Sequence, residues 1–546
     1  MQDNKRSSIR NIAEEYFSSM AKNYPVMCVS DEFCFFPRAA KASQFLSILD
    51  NLEEQKIKQN IAFIKNLLNS LHALGCQTND LETQIDAIIL RQSMSTFLRE
   101  FEEAAVWRKD PTLYMKILLF GIDQLTSKFS FMKTGVDDAL LSRIAHIPQL
   151  LRAAMNNLKK VPLLHQEVAL EMIASSIEYF TTNSFLLKQT PAFVKEMHAL
   201  TKKAVQSLLD FRRFLQGITT ENLFIRDSHI LEATLEDSFS YTRNIQEIFE
   251  ISSQEYEKTL KELENLAQQK KSSRSWQDIL TTSCLKIKNT QDLLGLYSNQ
   301  IESIKNFLLK KDAITIPKTQ NVEVQLTPGF MKPIRASASY CAPFTKDMRE
   351  PAYFYIAPAL AKNIRSDAGS IHNEYIFVTA HETYPGHHLL DSIRRHIKNP
   401  IRQQIESPLF YEGWASYAER LIDEVGYTQE FCQKLLRLKR KAWRAIRAML
   451  DVGIRTDRFS HEDAQRLLEK LGYNRQRVRM MVKHYTLNPG YQLCYTIGDF
   501  EIERLKRKFA SKLGLKRFHD CMLEGGQIPF DLIEKRLQEK LCQKNS

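Results

Sequence analysis

The chain has 546 residues, and its apolar content of 43% predicts a packed globular protein and excludes a disordered one. A formal net charge of +12 is spread along the chain with acidic residues interleaved, and no nucleic-acid-binding signature accompanies it, so we expect no nucleic acid partner. Glycine and proline are scarce, at 17 residues each, which favours long helices over a turn-rich β architecture.

Residues 1–316 show the hydrophobic spacing of consecutive helices. Prolines at 111, 162 and 191 stand where helices should begin or end. After the last of these prolines, apolar residues recur at steps of three and four: Phe193, Met197, Leu200, Ala204 and Leu208. We therefore predict a helical N-terminal lobe over residues 1–316.

The pattern changes after Pro317. Residues 322–326 alternate apolar and polar side chains, which predicts a half-buried strand, and residues 352–357 predict a second one. The open edge of such a small sheet could pair with an extended peptide. Helices follow, predicted at about 411–424, 429–453, 461–471 and 475–485. The prediction is a mainly α fold, a large two-lobed helical unit whose catalytic lobe, residues 317–546, holds a small β-sheet next to a metal-binding helix.

An octet in this lobe carries three imidazoles and a carboxylate: His381-Glu382-Thr383-Tyr384-Pro385-Gly386-His387-His388. In a regular helical zinc motif the two histidines stand four residues apart, but here that position is Pro385, which cannot ligate. Proline also interrupts a helix, and Gly386 adds backbone freedom. We expect a break there that brings a later imidazole beside His381.

Two histidines and one glutamate form a ligand set that catalytic zinc uses, with a fourth position left for water. We predict one zinc ion held by His381, Glu412 and one imidazole of the following pair, with His388 preferred and His387 as the alternative. Whichever histidine of the pair does not ligate could contact the substrate.

Glu382 follows a predicted ligand directly, so we expect it to act as the general base on a bound water. Its alternative role is to orient a ligand imidazole. Ser416 and Glu419 lie on the same helix face as Glu412 and are weaker candidates for ligand or supporting roles.

A third group of candidates follows at residues 484–498. His484, Tyr485, Tyr491 and Tyr495 carry donors that could stabilise the oxyanion of a peptidase transition state. Taken alone, tyrosines in such a cluster are more often packed in a core or interface.

These motifs resemble the bacterial DUF885 family, a group regarded as zinc-peptidase-like. The matching segments are His-Glu-x-x-Pro-Gly-His-His-Leu (381–389), Glu-Gly-Trp-Ala-x-Tyr (412–417), Pro-Gly-x-x-x-x-Tyr-x-x-Gly (489–498) and a Phe-His-Asp element from residue 518. They are highly specific and cover the C-terminal half.

The resemblance implies a mostly helical fold akin to gluzincin metallopeptidases. It marks the site as His381, Glu382, His387, His388 and Glu412, with Tyr495 nearby, and it strengthens Tyr485. Leu390 and Tyr491 depart from the family's pattern, which often has glutamine at both positions.

Nine scattered cysteines without a C-x-x-C pair argue against a disulfide framework and a thiolate metal site. The N-terminal segment has no apolar signal-peptide core, and no run in the chain is long and apolar enough to span a membrane. We therefore expect a cytoplasmic protein, with export by a route that needs no N-terminal signal as the alternative. The sequence gives no indication of an oligomeric state.

The expected function is that of a zinc metallopeptidase acting on short or unfolded peptides. The alternatives are a non-catalytic helical scaffold with a relic metal site and a zinc hydrolase of non-peptide amides or esters.

Overall fold

In a computed structural model the chain is mainly helical, as predicted. The structure describes residues 2–545 except 75–79, 133–134, 183–190, 222–226, 270–274, 282–283, 320, 334, 336–337, 358–369, 373 and 488–489. The helices of the first 316 residues are α1 Gln2–Asn23, α2 Pro25–Val29, α3 Glu54–Ala73, α4 Leu81–Leu98, α5 Val106–Lys109, α6 Pro111–Asp123, α7 Val136–Asn157, α8 Leu163–Thr182, α9 Pro191–Gly217, α10 Ser228–Ala233, α11 Ile245–Gln268, α12 Trp276–Thr281 and α13 Thr290–Lys311.

The later helices include all four that the sequence predicts after residue 410. They are α14 Glu374–Glu382, α15 His387–His396, α16 Pro400–Gln404, α17 Pro408–Glu424, α18 Phe431–Gly453, α19 His461–Lys470, α20 Arg475–Leu487, α21 Cys494–Leu513, α22 Leu515–Glu524 and α23 Phe530–Asn545. Shorter 3₁₀ or π-helical turns are Ala40–Phe45, Arg99–Glu103, Gln124–Lys128, Thr234–Ser238 and Gly329–Met331.

Local signals explain several helix ends. Pro111 and Pro191 are the first residues of α6 and α9, where a missing N–H costs nothing. In α11 the Asn244 side chain and Glu247 form a reciprocal capping box. The stripe predicted for α9 is buried at Met197, Ala204 and Leu208 and partly buried at Phe193 and Leu200.

In the described part of the chain the strands are short and form three small sheets. The strands are β1 Lys160–Pro162, β2 Thr219–Glu221, β3 Cys284–Lys286, β4 Val322–Leu326, β5 Ser339–Cys341, β6 Ala352–Ile356 and β7 Ser370–His372. The predictions at residues 322–326 and 352–357 are confirmed by β4 and β6. The described part of residues 1–316 also contains short strands, because β1 pairs in parallel with β2, and β3 pairs with β7.

The sheet that matters for the site has the order β4–β6–β5. Its central strand, β6, runs parallel to β4 and antiparallel to β5, where Tyr340 lies opposite Phe354. Phe354 and Ile356 point into the main core, while Tyr353 and Tyr355 pack with Cys341 on the other face. Because β6 lies between the other two, β4 and β5 are both edge strands of this sheet in the described part of the chain.

One hydrophobic cluster includes buried residues from Ile9 to Leu541. The division into lobes at residue 316 stays a prediction. No helix in the described part of the chain combines the length and the apolar character that crossing a membrane would require.

Candidate metal centre

The break predicted at Pro385 and Gly386 is confirmed. Helix α14 ends at Glu382, and α15 begins at His387. The Gly386 N–H donates to the Ala380 carbonyl at 2.9 Å, and a Cβ added at this glycine would lie 1.9 Å from the His381 carbonyl oxygen. Only glycine fits there, because no side-chain atom can come that close to a backbone oxygen.

A contact from another helix fixes this turn. Trp414, fully buried on α17, donates its indole N–H to the Pro385 carbonyl at 2.8 Å. The turn between the two histidine-bearing helices is therefore held by the helix that also carries Glu412.

Helices α17 and α21 approach each other backbone to backbone. A Cβ on Gly498 would lie 2.2 Å from the Leu409 carbonyl and 2.5 Å from the Gly413 Cα. This close contact places Tyr495 beside Glu412, and the phenol donates to Glu412 Oε1 at 3.0 Å. The glycines of both motifs thus have a packing role that brings two site residues together.

Three ligand-type side chains converge at this point. His381, His387 and Glu412 are all buried, and each offers one atom within 4.8 Å of the other two. Glu412 Oε2 lies 3.3 Å from His381 Nε2 and 3.5 Å from His387 Nε2. Ligands about 2.05 Å from one zinc ion at a tetrahedral angle would be about 3.4 Å apart. Both distances are therefore compatible with one metal ion shared by the three side chains.

The two oxygens of the Glu412 carboxylate have different contacts. Oε1 accepts hydrogen bonds from both Tyr491 and Tyr495, whereas the buried Oε2 has no hydrogen-bond partner among the described residues. Burial opposes ionisation, but His381 and His387 hold the pKa of this carboxyl well below its usual range. The phenols leave one oxygen for a cation, as expected for a monodentate ligand.

The sequence-based prediction prefers His388 as the second imidazole ligand, but the group of ligand-type side chains contains His387 instead. His388 is fully buried, and its Nδ1 lies 3.0 Å from the Tyr340 hydroxyl, outside the ligand group. His387, the alternative, is the imidazole that joins His381 and Glu412. Consecutive residues of a helix point about 100° apart, so only one of the pair can face α14.

Further side chains orient the two imidazoles. His381 Nδ1 lies 3.2 Å from Glu419 Oε1, and the same carboxylate binds Arg440 at 2.7 Å and Arg444 at 2.9 Å. Burial raises the pKa of the Glu419 carboxyl, but the guanidinium groups of Arg440 and Arg444 outweigh this effect and keep the pKa well below its usual range. The ring of His387 stacks on Tyr411 with centroids 4.0 Å apart. Glu419 therefore acts on a ligand imidazole and is not itself in the ligand group.

Glu382 lies beside the ligand group and contacts strand β5. Its Oε2 accepts the Tyr340 N–H at 2.9 Å. Burial raises the pKa of the Glu382 carboxyl to about 7, with Glu412 also raising it and His387 opposing. A carboxylate with a pKa near neutrality is well suited to accept and return a proton.

The remaining candidates differ in position. Tyr495 reaches Glu412, as does Tyr491, but the Tyr485 hydroxyl instead accepts the Trp443 indole N–H at 2.9 Å. The side chain of His484, on α20, lies outside the described part of the structure. Tyr485 is therefore not brought to the ligand group.

Two contributors carry no sequence signal that identifies them. Tyr340, on β5, reaches both Glu382 and His388. Asp451, fully buried on α18, accepts the backbone N–H groups of residues 490, 492 and 493 and so fixes the turn that carries Tyr491. Both contacts join segments far apart in the chain. Only for Glu419, on the same helix face as Glu412, could the sequence indicate a role.

The fold and site together define a mainly helical protein with a buried His-His-Glu group that could bind a metal ion. The chain belongs to the family described as "Bacterial protein of unknown function (DUF885)", which matches residues 42–537. No curated protein matches the sequence.

Two solved structures share the fold over nearly the whole chain. A "putative lipoprotein" from Colwellia psychrerythraea is 17% identical with a TM-score of 0.76, covering 98% of this chain and 99% of its own. A "putative lipoprotein of unknown function" from Shewanella oneidensis is 17% identical with a TM-score of 0.73, covering 97% and 100%. At this identity they support the fold alone.

Proposed function

We propose that the protein is a zinc-dependent hydrolase, and specifically a peptidase of short or unfolded peptides. The observation that carries the proposal is the spacing of 3.3 and 3.5 Å between Glu412 Oε2 and the two imidazole nitrogens. The phenols of Tyr491 and Tyr495 bind Glu412 Oε1, so Oε2 is the oxygen that faces the two imidazoles.

His381, His387 and Glu412 would hold the ion. His381 Nδ1 lies 3.2 Å from both Glu419 Oε1 and Arg444 Nη2, and donation from Nδ1 to the Glu419 carboxylate is the arrangement that would leave Nε2 to the ion. Zinc, when bound, supplies a Lewis acid and an acidified water. Glu382 would take the proton of the attacking water and pass it to the leaving amine. Stabilisation of the oxyanion by Tyr495 or His484 stays a prediction.

Strand β5, at an edge of its sheet, favours a peptide substrate over a non-peptide ester or amide. Tyr340 is not hydrogen-bonded to β6 through its N–H, which points to Glu382 instead. In an antiparallel pair the N–H and C=O of one residue point to the same side, so the Tyr340 carbonyl also faces away from β6. The Tyr340 carbonyl is then the group on this side of β5 that could accept a hydrogen bond from an extended peptide, while Glu382 occupies the N–H.

The test combines metal analysis with the substitution Glu382→Gln, and Glu323→Gln on β4 of the same sheet is the matched control. We expect about one zinc per chain in all three proteins and a loss of peptide turnover of about 100-fold or more in Glu382→Gln alone. Unchanged turnover in Glu382→Gln would overturn the mechanism. Substoichiometric zinc, with no loss of stability under a chelator, would favour the scaffold alternative.

A further inference from the structure

Arg447 is a buried arginine of α18 whose partners are uncharged. It is 6% exposed and forms no ion pair among the described residues, whereas Arg440 and Arg444, about two turns and one turn earlier on the same helix, share Glu419. Its Nε and Nη2 donate instead to Gln492 Oε1, at 2.9 and 2.6 Å. Burying a charge without a counter-ion costs free energy, so this residue is a candidate for a role beyond packing.

The Arg447 guanidinium lies against the ring of Tyr495. Its Cζ is 3.9 Å from the centre of that ring, closer than to the rings of Trp443 at 4.7 Å and Tyr485 at 5.2 Å. A guanidinium over a ring face is attracted to it and restricts the positions that the ring can take. This contact therefore fixes the ring whose hydroxyl donates to Glu412 Oε1.

The same guanidinium supports the turn that carries Tyr491. Gln492, which accepts both hydrogen bonds of Arg447, follows Tyr491 directly and is buried. The Gln492 N–H donates to Asp451 Oδ2 at 2.9 Å, so the side chain and the backbone of this residue are both held. Tyr491 in turn donates to Glu412 Oε1. One arginine thus contacts the supports of both phenols that bind this oxygen.

The two phenols determine which oxygen of Glu412 faces the imidazoles. A phenol is protonated near neutral pH, so both hydroxyls act as donors to the carboxylate. With both of them on Oε1, it is Oε2 that lies 3.3 Å from His381 Nε2 and 3.5 Å from His387 Nε2. A shift of either ring would free Oε1 to turn toward the same point.

We propose that Arg447 is a positioning residue of the metal centre, which acts through Tyr495 and Tyr491 to hold Glu412 as a ligand through one oxygen. This inference rests on the proposed function in taking a metal ion to occupy the His-His-Glu group. A carboxylate can bind a metal ion through one oxygen or through both. Keeping Oε1 on the phenols leaves a fourth position for water or substrate, as a catalytic zinc site requires.

The experiment measures zinc affinity against a chromophoric chelator and the visible spectrum of the cobalt(II)-substituted protein. Four-coordinate cobalt(II) absorbs visible light more strongly than five- or six-coordinate cobalt(II), so the spectrum reports a second oxygen on the ion. We expect Arg447→Met to lower zinc affinity about 10-fold or more and to weaken the cobalt(II) band. Arg447→Lys keeps the charge but loses the planar fork, and it should change both readouts in the same direction.

Arg458→Met is the matched control. Arg458 makes the same two kinds of contact, with its guanidinium 4.8 Å from the centre of the Phe249 ring and a hydrogen bond to the Gln246 side chain, but it is exposed and its partners lie on α11. This variant should leave zinc affinity and the cobalt(II) spectrum unchanged. Denaturant unfolding of the metal-free proteins identifies any variant that has lost its fold.

A second comparison tests whether the effect passes through the phenols. In a protein that already carries Tyr491→Phe and Tyr495→Phe, the further substitution Arg447→Met should change zinc affinity by about 2-fold or less, because the route to Glu412 is already broken. An equal loss in the wild-type and phenylalanine backgrounds would show that Arg447 acts by another route and would overturn the proposal.

Wild-type zinc affinity and an unchanged cobalt(II) spectrum in both Arg447 variants would also overturn it. Because metal binding needs no turnover, the two proposals fail separately. A wild-type protein that binds zinc and responds to the Arg447 substitutions but hydrolyses no peptide contradicts the proposed function alone. Peptide hydrolysis by the wild type, with metal binding unchanged in the Arg447 variants, contradicts the positioning role alone.

Discussion

Replacing His387 and His388 one at a time by alanine gives the sharpest test of the metal centre. The two residues are adjacent and both buried, yet only His387 joins His381 and Glu412. We expect His387→Ala to lose zinc and His388→Ala to retain it.

The expected loss of zinc affinity in each variant follows from the positions of the two imidazole rings. His387 Nε2 lies 3.5 Å from Glu412 Oε2, about the separation of two ligands on one zinc ion, so its removal deletes a ligand. Loss of a group that only orients a ligand costs about 10- to 100-fold in metal affinity, so loss of a ligand should cost more than about 100-fold, or about 2.7 kcal/mol. His388, whose Nδ1 contacts Tyr340, should cost at most about 10-fold.

The assay is a competitive zinc titration against a chromophoric chelator. Denaturant unfolding of the metal-free proteins serves as the control, because both substitutions leave a buried cavity and only one should affect affinity beyond that change. Zinc retained at wild-type affinity by His387→Ala, or lost by His388→Ala alone, would refute the assignment.

Three further predictions concern the surroundings of the site. Glu419→Gln should weaken zinc binding about 10- to 100-fold and lower the free energy of unfolding by about 3–5 kcal/mol, because two buried guanidinium groups lose their carboxylate. Gly498→Ala should destabilise the protein by about 3 kcal/mol or more, since its Cβ would meet backbone atoms at 2.2 and 2.5 Å. Burial lowers the pKa of His519 from 6.5 to about 4, so the unfolded chain binds a proton at this histidine more readily than the folded protein. The free energy of unfolding should therefore fall by about 3 kcal/mol as the pH drops from 6.5 to 4, with the full contribution present above pH 6.5.

Each of these predictions has a control in the same chain. Metal-free Glu419→Gln that unfolds like the wild type would contradict the role of its ion pairs. Gly295→Ala, on α13 with open space around the added Cβ, should be neutral or stabilising by about 0.5–1 kcal/mol, and an equal loss at both glycines would contradict the close-contact argument. For His519→Gln, unfolding from pH 7 to 4 should show a shallower loss than the wild type, whereas His146→Gln, at an exposed position, should not change the slope.

The helical half of the fold is predictable because its signals are local. The stripe from Phe193 to Leu208 and the prolines at 111 and 191 depend only on neighbours in sequence, and the helices form where these signals place them. Strand β5 is not predictable in this way. Ser339–Cys341 is too short to show alternation, and it becomes a strand because β6 pairs with it.

The chemistry of the site is predictable to the level of residue types. His381, Glu382 and Glu412 are identified from the octet and its partner motif, and the structure brings His381 and Glu412 together with Glu382 beside them. Tyr485 shows the limit of such reasoning. Its phenol has suitable chemistry, but it contacts Trp443 because the direction of α20 is set by packing.

By itself, the sequence determined which ligand types are present and that Pro385 must break the helix between them, because both follow from side-chain chemistry and from the missing N–H of proline. The tertiary structure decided which of the two adjacent imidazoles faces His381. That choice depends on the direction in which α15 leaves the turn, and the direction is set by contacts from α17, through the Trp414 hydrogen bond to the Pro385 carbonyl. Residues 29 positions apart in the chain make this contact, so no local pattern encodes it.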